Sequence, residues 1–302
     1  MEVILAPHAG FCFGVEKAVN MVYDELHTGE KISTYGPIIH NEEVVRDLEA
    51  RGVTVMDEAA LDRAPAPETA SLAHAKTDTG QTPPAPGTMI LRSHGVTKAA
   101  EEAIRASGYK VVDATCPFVK RIHRIVEEAG RAGQEILITG DPAHAEVEAI
   151  AGWTTGNVHI LKDVDEARAF HPAQDAEYTL VSQTTFNLKK FQEIVAILEQ
   201  NVYNIHVVNT ICNATEVRQT EAEEIATSVD AMIVIGGKGS SNSRKLYEIC
   251  KDRCERTHFI QTLEDLPADA LKGVQTVGIT AGASTPKNII EEVLGYVRTT
   301  NF

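Results

Sequence analysis

The sequence predicts an α/β protein of three similar small domains, each a parallel four-stranded sheet, arranged with pseudo-threefold symmetry around a shared centre. Three observations carry this prediction. Short β-branched runs alternate with charged, helix-forming stretches, the pattern of parallel sheets flanked by helices. Cys12, Cys116 and Cys212 each follow a strand-like run and precede a helix-like one, recurring at intervals of roughly 100 residues. Passing from Cys212 through the C-terminus and on to the N-terminal strand spans about the same interval, so that strand completes the third unit.

The elements follow in order. A strand over 3–6 (Val-Ile-Leu-Ala) opens the chain and leads to Cys12. The first group takes strands over 32–35, 53–56, 89–92 and 110–112, each short, apolar and rich in Val, Ile or Thr. The second takes 135–139, 158–161, 178–181 and 205–208, and the third 231–235, 258–261 and 276–280. Stretches over 97–107, 118–132, 188–200 and 286–297 carry helical periodicity and good helix formers. The expected division is 13–112, 113–208, and 209–302 together with 1–12. The segment 61–87, rich in Ala, Pro and Thr, breaks the rhythm and reads as a surface insertion in the first unit.

Composition narrows the function classes. With 28 Lys and Arg against 43 Asp and Glu, the net charge of −15 opposes wrapping nucleic acid. The sequence contains no apolar run of membrane-spanning length, and the N-terminus lacks a basic region and long apolar stretch, so the expected compartment is the cytoplasm, with no membrane partner. Five cysteines in a reducing compartment make a disulfide framework a poor explanation. Cys250 and Cys254, one helical turn apart in a predicted helix over 246–254, read as core packing.

The remaining three cysteines sit where helix starts favour thiolate. Structural zinc sites favour close cysteine pairs, which this trio lacks, and three isolated thiolates suit a 4Fe–4S cluster with one iron lacking a protein ligand. Spacing alone leaves zinc and coincidence open. Polar residues recur at the other strand ends: His40, His94 and His144, then Thr184, then Ser240, Ser241, Asn242 and Ser284. Each histidine alone is as well explained as a helix cap or a satisfied polar residue. Jointly, imidazole, hydroxyl and amide donors near helix N-termini fit a phosphate or diphosphate. Ligands of open parallel sheets bind at that edge. The glycine-rich run 236–242 lacks the order of a phosphate-binding ATPase loop, because its lysine precedes the serines. Glu146 opens a helix beside the expected cavity; it is either a favourable helix-start charge or a proton donor helped by His144 or Thr184.

The motifs Gly10-Phe11-Cys12-Phe13-Gly14-Val15, Ser93-His94-Gly95-Val96, Asp113-Ala114-Thr115-Cys116-Pro117, His144-Ala145-Glu146-Val147-Glu148, Ser182-Gln183-Thr184-Thr185, Ile211-Cys212-Asn213-Ala214-Thr215, Ser240-Ser241-Asn242-Ser243 and Thr280-Ala281-Gly282-Ala283-Ser284 occur in that order. Together they closely resemble the 4-hydroxy-3-methylbut-2-enyl diphosphate reductases of the non-mevalonate isoprenoid pathway. The resemblance implies one 4Fe–4S cluster on Cys12, Cys116 and Cys212, its open iron taking the substrate oxygen. It implies diphosphate binding by His40, His94, Ser240, Asn242 and Ser284, with Ser241 nearby. It further implies proton donation by Glu146, with Thr184 and His144 positioning the hydroxyl. The substrate is then a small allylic diphosphate, reduced to isopentenyl and dimethylallyl diphosphate. The sequence carries no flavin or nicotinamide motif, so a ferredoxin- or flavodoxin-like donor is expected. Ala145 replaces the proline usual after the histidine. The rival readings are a 4Fe–4S lyase of the quinolinate synthase type and a metal-stapled phosphate-binding protein.

Overall fold

A computed structural model describes residues 1–56, 87–202 and 204–300; of the predicted insertion, only Gly87 falls within the described residues. The strands are β1 Glu2–Leu5, β2 Ile32–Tyr35, β3 Thr54–Met56, β4 Thr88–Leu91, β5 Lys110–Asp113, β6 Glu135–Thr139, β7 Val158–Leu161, β8 Tyr178–Ser182, β9 Ile205–Val207, β10 Ala231–Ile235, β11 Thr257–Ile260 and β12 Thr276–Ala281. They form three four-stranded sheets ordered β3-β2-β4-β5, β7-β6-β8-β9 and β11-β10-β12-β1, with every pairing parallel. The order of strands is the same in all three, with β1 taking the fourth place of the third sheet beside β12.

Alternation of side chains along each strand produces two cores per sheet. In the third, Ile233, Ile235, Val277 and Ile279 pack on one face with Ile289, Ile290 and Val293. Met232 and Val234 pack on the other with Ala222, Leu246, Cys250 and Cys254. The second sheet divides likewise, with Leu137 and Leu180 on one face and Ile136, Ile138 and Val181 on the other. Ile32 and Ile90 face one way in the first sheet, while Met89 and Leu91 face the other. Burial on both faces explains why these strands are near-continuously apolar.

The expected core role of Cys250 and Cys254 agrees with their burial, but the helix Ser241–Arg253 stops one residue short of Cys254, which turns extended toward β11. Arg92, predicted as a strand end, lies just beyond β4, where its Nε donates to Gly95 O at 3.0 Å.

Hydrogen bonds between loops of different sheets tie the three into a ring. Ser284 Oγ of the third donates to His40 O of the first at 3.1 Å. Thr185 Oγ1 of the second donates to Ser241 Oγ of the third at 3.2 Å. Trp153 Nε1 closes the ring by donating to Val96 O at 2.8 Å. This arrangement turns the carboxyl ends of the sheets toward one another.

Candidate active site

The strand ends converge on a cavity lined by Cys12, Cys116, Cys212, His40, His94, His144, Glu146, Thr184, Ser240, Ser241, Asn242 and Ser284. Every site residue singled out in the sequence therefore reaches one space, although the thiols alone span about 200 positions of chain.

Each thiol belongs to the residue capping the start of a helix: Cys12 before Phe13–Leu26, Cys116 before Pro117–Arg131 and Cys212 before Asn213–Ala226. All three are half-buried and unpaired. Burial pushes the Cys116 thiol up to about 11, against the opposing pull of the Phe118 and Val119 N–H groups, and the nearby Cys12 and Cys212 thiols raise it further. Burial also raises Cys212. As thiolates the trio needs a cationic centre, and this donor set suits a soft metal or an iron–sulfur cluster. Gly14 is required beside them, since a Cβ there would lie 2.6 Å from Cys116 Sγ.

A second wall is made of imidazoles. The His40 and His94 ring centroids lie 4.2 Å apart, His40 and His144 5.0 Å, and His94 and His144 5.6 Å. One nitrogen from each lies within 4.8 Å of the others, close enough to share a metal ion or an anion. Burial lowers the pKa of all three, with His144 at about 4 and His94 well below its usual value. They are therefore neutral at pH 7, and each contributes one N–H. Nδ1 of His144 accepts from the Glu146 N–H at 3.1 Å, which leaves the His144 proton on Nε2.

Glu146 is buried in the first turn of Ala145–Ala151. Its Oε1 accepts from the Thr184 N–H at 2.6 Å and its Oε2 from the Thr184 hydroxyl at 2.8 Å. Desolvation outweighs these bonds and lifts the carboxyl to about 7, the range in which an acid both holds and releases a proton at neutral pH. Glu148, two residues on, is exposed.

Beside the imidazoles, Ser240 Oγ accepts from the Ser243 N–H at 3.3 Å and caps Ser241–Arg253. Neither polar atom of the buried Asn242 amide has a hydrogen-bond partner among the described residues, and neither has His40 Nε2. Unpaired buried polar atoms aimed into a cavity are costly in the free protein, and a polar ligand satisfies them.

Sequence reasoning missed Arg218. It is buried, donates from Nη2 to Gly10 O at 2.7 Å and from Nη1 to Ala214 O at 2.8 Å, and so clips the Cys12 loop to the Cys212 helix. Its charge lies close enough to Cys12 and Cys212 to be influenced by both. An arginine inside a polar helix carries no local mark of this; only the meeting of two sheets reveals it.

Three doubly covered parallel sheets converging on thiols, imidazoles and a buried carboxyl define an α/β protein whose central cavity is lined by groups that could hold a metal or an anion. The chain belongs to the LytB protein family, whose model matches residues 3–298. It is 40% identical over 300 residues to the 4-hydroxy-3-methylbut-2-enyl diphosphate reductase of Caldanaerobacter subterraneus subsp. tengcongensis, covering 99% of this chain and 97% of that one. It is 41% identical to the enzyme of that name from Alkaliphilus oremlandii, covering 98% and 99%. Among solved structures, it matches an (E)-4-hydroxy-3-methyl-but-2-enyl diphosphate reductase, described as the terminal enzyme of the non-mevalonate pathway, at TM-score 0.65 and 37% identity over 99% of this chain and all of that one. It matches the E-1-hydroxy-2-methyl-but-2-enyl-4-diphosphate reductase of Plasmodium falciparum at TM-score 0.84 and 27% identity, covering 98% and 87%. Among the described residues, no helix is long and apolar enough to cross a membrane.

Proposed function

We propose that this chain removes the allylic hydroxyl of 4-hydroxy-3-methylbut-2-enyl diphosphate by reduction, yielding isopentenyl and dimethylallyl diphosphate at the last step of the non-mevalonate route. Full-length relatives named for that reaction support the reading. The observation that carries it is the sharing of one cavity by three free thiols, a buried carboxyl titrating near neutrality, and unsatisfied imidazole and amide groups.

Cys12, Cys116 and Cys212 would hold a 4Fe–4S cluster, which when bound supplies electrons singly and offers an iron without a protein ligand. His40, His94, Ser240, Asn242 and Ser284 bind the diphosphate, with Ser241 beside them. Neutral donors suit an anion here, because His40 Nε2 and the Asn242 amide reach it without surrendering another bond. Thr184 holds the Glu146 carboxyl in one orientation and, with His144, positions the substrate hydroxyl. Glu146 gives a proton from its carboxyl to the departing hydroxyl, which leaves as water, and after reprotonation supplies a second to carbon. A ferredoxin- or flavodoxin-like protein brings the two electrons. We further propose the division 13–112, 113–208, and 209–302 with 1–12, and action in the cytoplasm.

The test is an anaerobic assay with hydroxymethylbutenyl diphosphate and a reduced carrier, following both products. A brown, iron- and sulfide-containing protein that forms both is expected. A colourless zinc protein would sink the reading, and turnover without reductant would favour a lyase.

A further inference from the structure

We propose that the surface around Phe13 and Phe118, bordered by Lys17, Arg121 and Arg124, docks a small acidic electron-carrier protein that feeds the centre held by the three thiols; this rests on the reductase reading above. Among the described residues, the exposed large hydrophobic side chains are Met1, Phe13 and Phe118, with Phe13 66% and Phe118 42% exposed. Phe13 follows Cys12 directly and Phe118 lies two positions after Cys116. Gly14 packs against the Cys116 thiol, so the two helix starts that carry these rings meet. Phe118 also lines the central cavity. These exposed rings therefore lie at the two helix starts that carry the Cys12 and Cys116 thiols, a short path for an electron entering the centre.

The surrounding charge supplies the partner's chemistry. The first two turns of Pro117–Arg131 carry Lys120, Arg121 and Arg124, and its first turn has no acid. Lys120 is matched by Asp113 at 2.5 Å. Lys17, Arg121 and Arg124 are exposed and form no ion pair among the described residues. Glu16, in the first turn of the Phe13 helix, is an exposed acid there, which leaves the three unpaired cations in excess; on a chain of net charge −15 that local excess gives an acidic protein an attractive approach that the overall charge opposes. Each docking passes one electron inward and the carrier leaves oxidised. Two dockings supply the two electrons that, with two protons, convert the allylic C–OH to C–H and water.

The test pairs Arg121→Glu/Arg124→Glu with a control carrying the same charge change, Lys272→Glu/Lys287→Glu, at exposed positions of the third sheet unit. Binding of oxidised acidic plant-type ferredoxin to the cluster-loaded proteins is measured at about 25 mM salt, where screening is weak. The expected result is at least tenfold weaker binding, and an equal rise in KM for reduced ferredoxin, in the Arg121/Arg124 variant alone. Turnover driven by reduced methyl viologen should be unchanged. Wild-type affinity in that variant, an equal loss in the control, or no ferredoxin binding by the wild type would overturn the proposal. Absence of viologen-driven turnover in the wild type would instead count against the reductase reading, while the binding comparison still decides the docking surface.

Discussion

Replacing Glu146 by Gln separates its proton from its shape. Glutamine fills the same volume, and its oxygen still accepts from the Thr184 N–H, while its NH2 donates to the Thr184 hydroxyl oxygen, so both contacts at 2.6 and 2.8 Å have successors. The carboxyl pKa moves from its usual 4.5 to about 7 because burial disfavours the anion. That shift corresponds to about 3 kcal/mol. The sign follows from proton affinity: the folded protein binds this proton more tightly than the unfolded chain. Glu146 therefore costs nothing below pH 4.5, and its penalty grows as pH rises toward 7 and is complete above it. Glu146→Gln relieves that penalty, so its advantage in thermal stability should be near zero at pH 4.5. By pH 8 it should reach about 3 kcal/mol, or roughly 5 °C or more in Tm. Turnover should fall roughly 100- to 10,000-fold, the usual contribution of a general acid. Wild-type turnover itself should decline above pH 7 as the acid form is lost. Calorimetry across pH with matched anaerobic assays provides the check. A stability gap that does not change with pH, or variant turnover within tenfold of wild type, would refute the assignment.

Three further substitutions probe the cavity. Asn242→Leu replaces an amide with no partners by an apolar group of similar size, so the ligand-free protein should gain about 1–2 kcal/mol in denaturant unfolding while substrate binding weakens at least tenfold, measured by calorimetric titration. Gly14→Ala puts a Cβ 2.6 Å from Cys116 Sγ; iron and sulfide analysis should give markedly less bound iron per chain than wild type, with wild-type loading the contrary result. Gly95→Ala adds a Cβ 2.7 Å from His123 Cε1 at φ +78, and together strain and overpacking should cost about 2–4 kcal/mol and disturb the adjacent His94. Its KM for the diphosphate substrate should rise with the loss of stability.

Much of this arrangement was legible locally. β2, β6, β7 and β10 occupy the positions predicted for them; in β6 and β10, covered on both faces, burial is written into nearly continuous apolar runs, while β2 and β7 show themselves by β-branched residues. The other strand ends shift by one residue or so, since a terminal pairing depends on a neighbour that no local pattern records. Cys12, Cys116 and Cys212 could be selected from five cysteines by their places between strand and helix, whereas Cys250 and Cys254 show the spacing of a packed helical face. Repetition of those junctions also located the polar strand ends. Phe13, Phe118 and Arg218 were not singled out: aromatic residues within helices normally face a core, and an internal arginine normally faces water.

The alternation of strands and helices, the threefold recurrence of thiols and the polar residues at strand ends are written in the sequence alone, because each is a periodic or junctional property of short segments. Three features depend instead on how distant segments pack. Glu146 is dry enough to titrate near 7, the Asn242 amide and His40 Nε2 lack partners, and Arg218 spans from the Cys212 helix to the Cys12 loop. Desolvation and hydrogen-bond satisfaction depend on everything that surrounds a group. At this cavity, most of those surroundings come from parts of the chain far from the group itself.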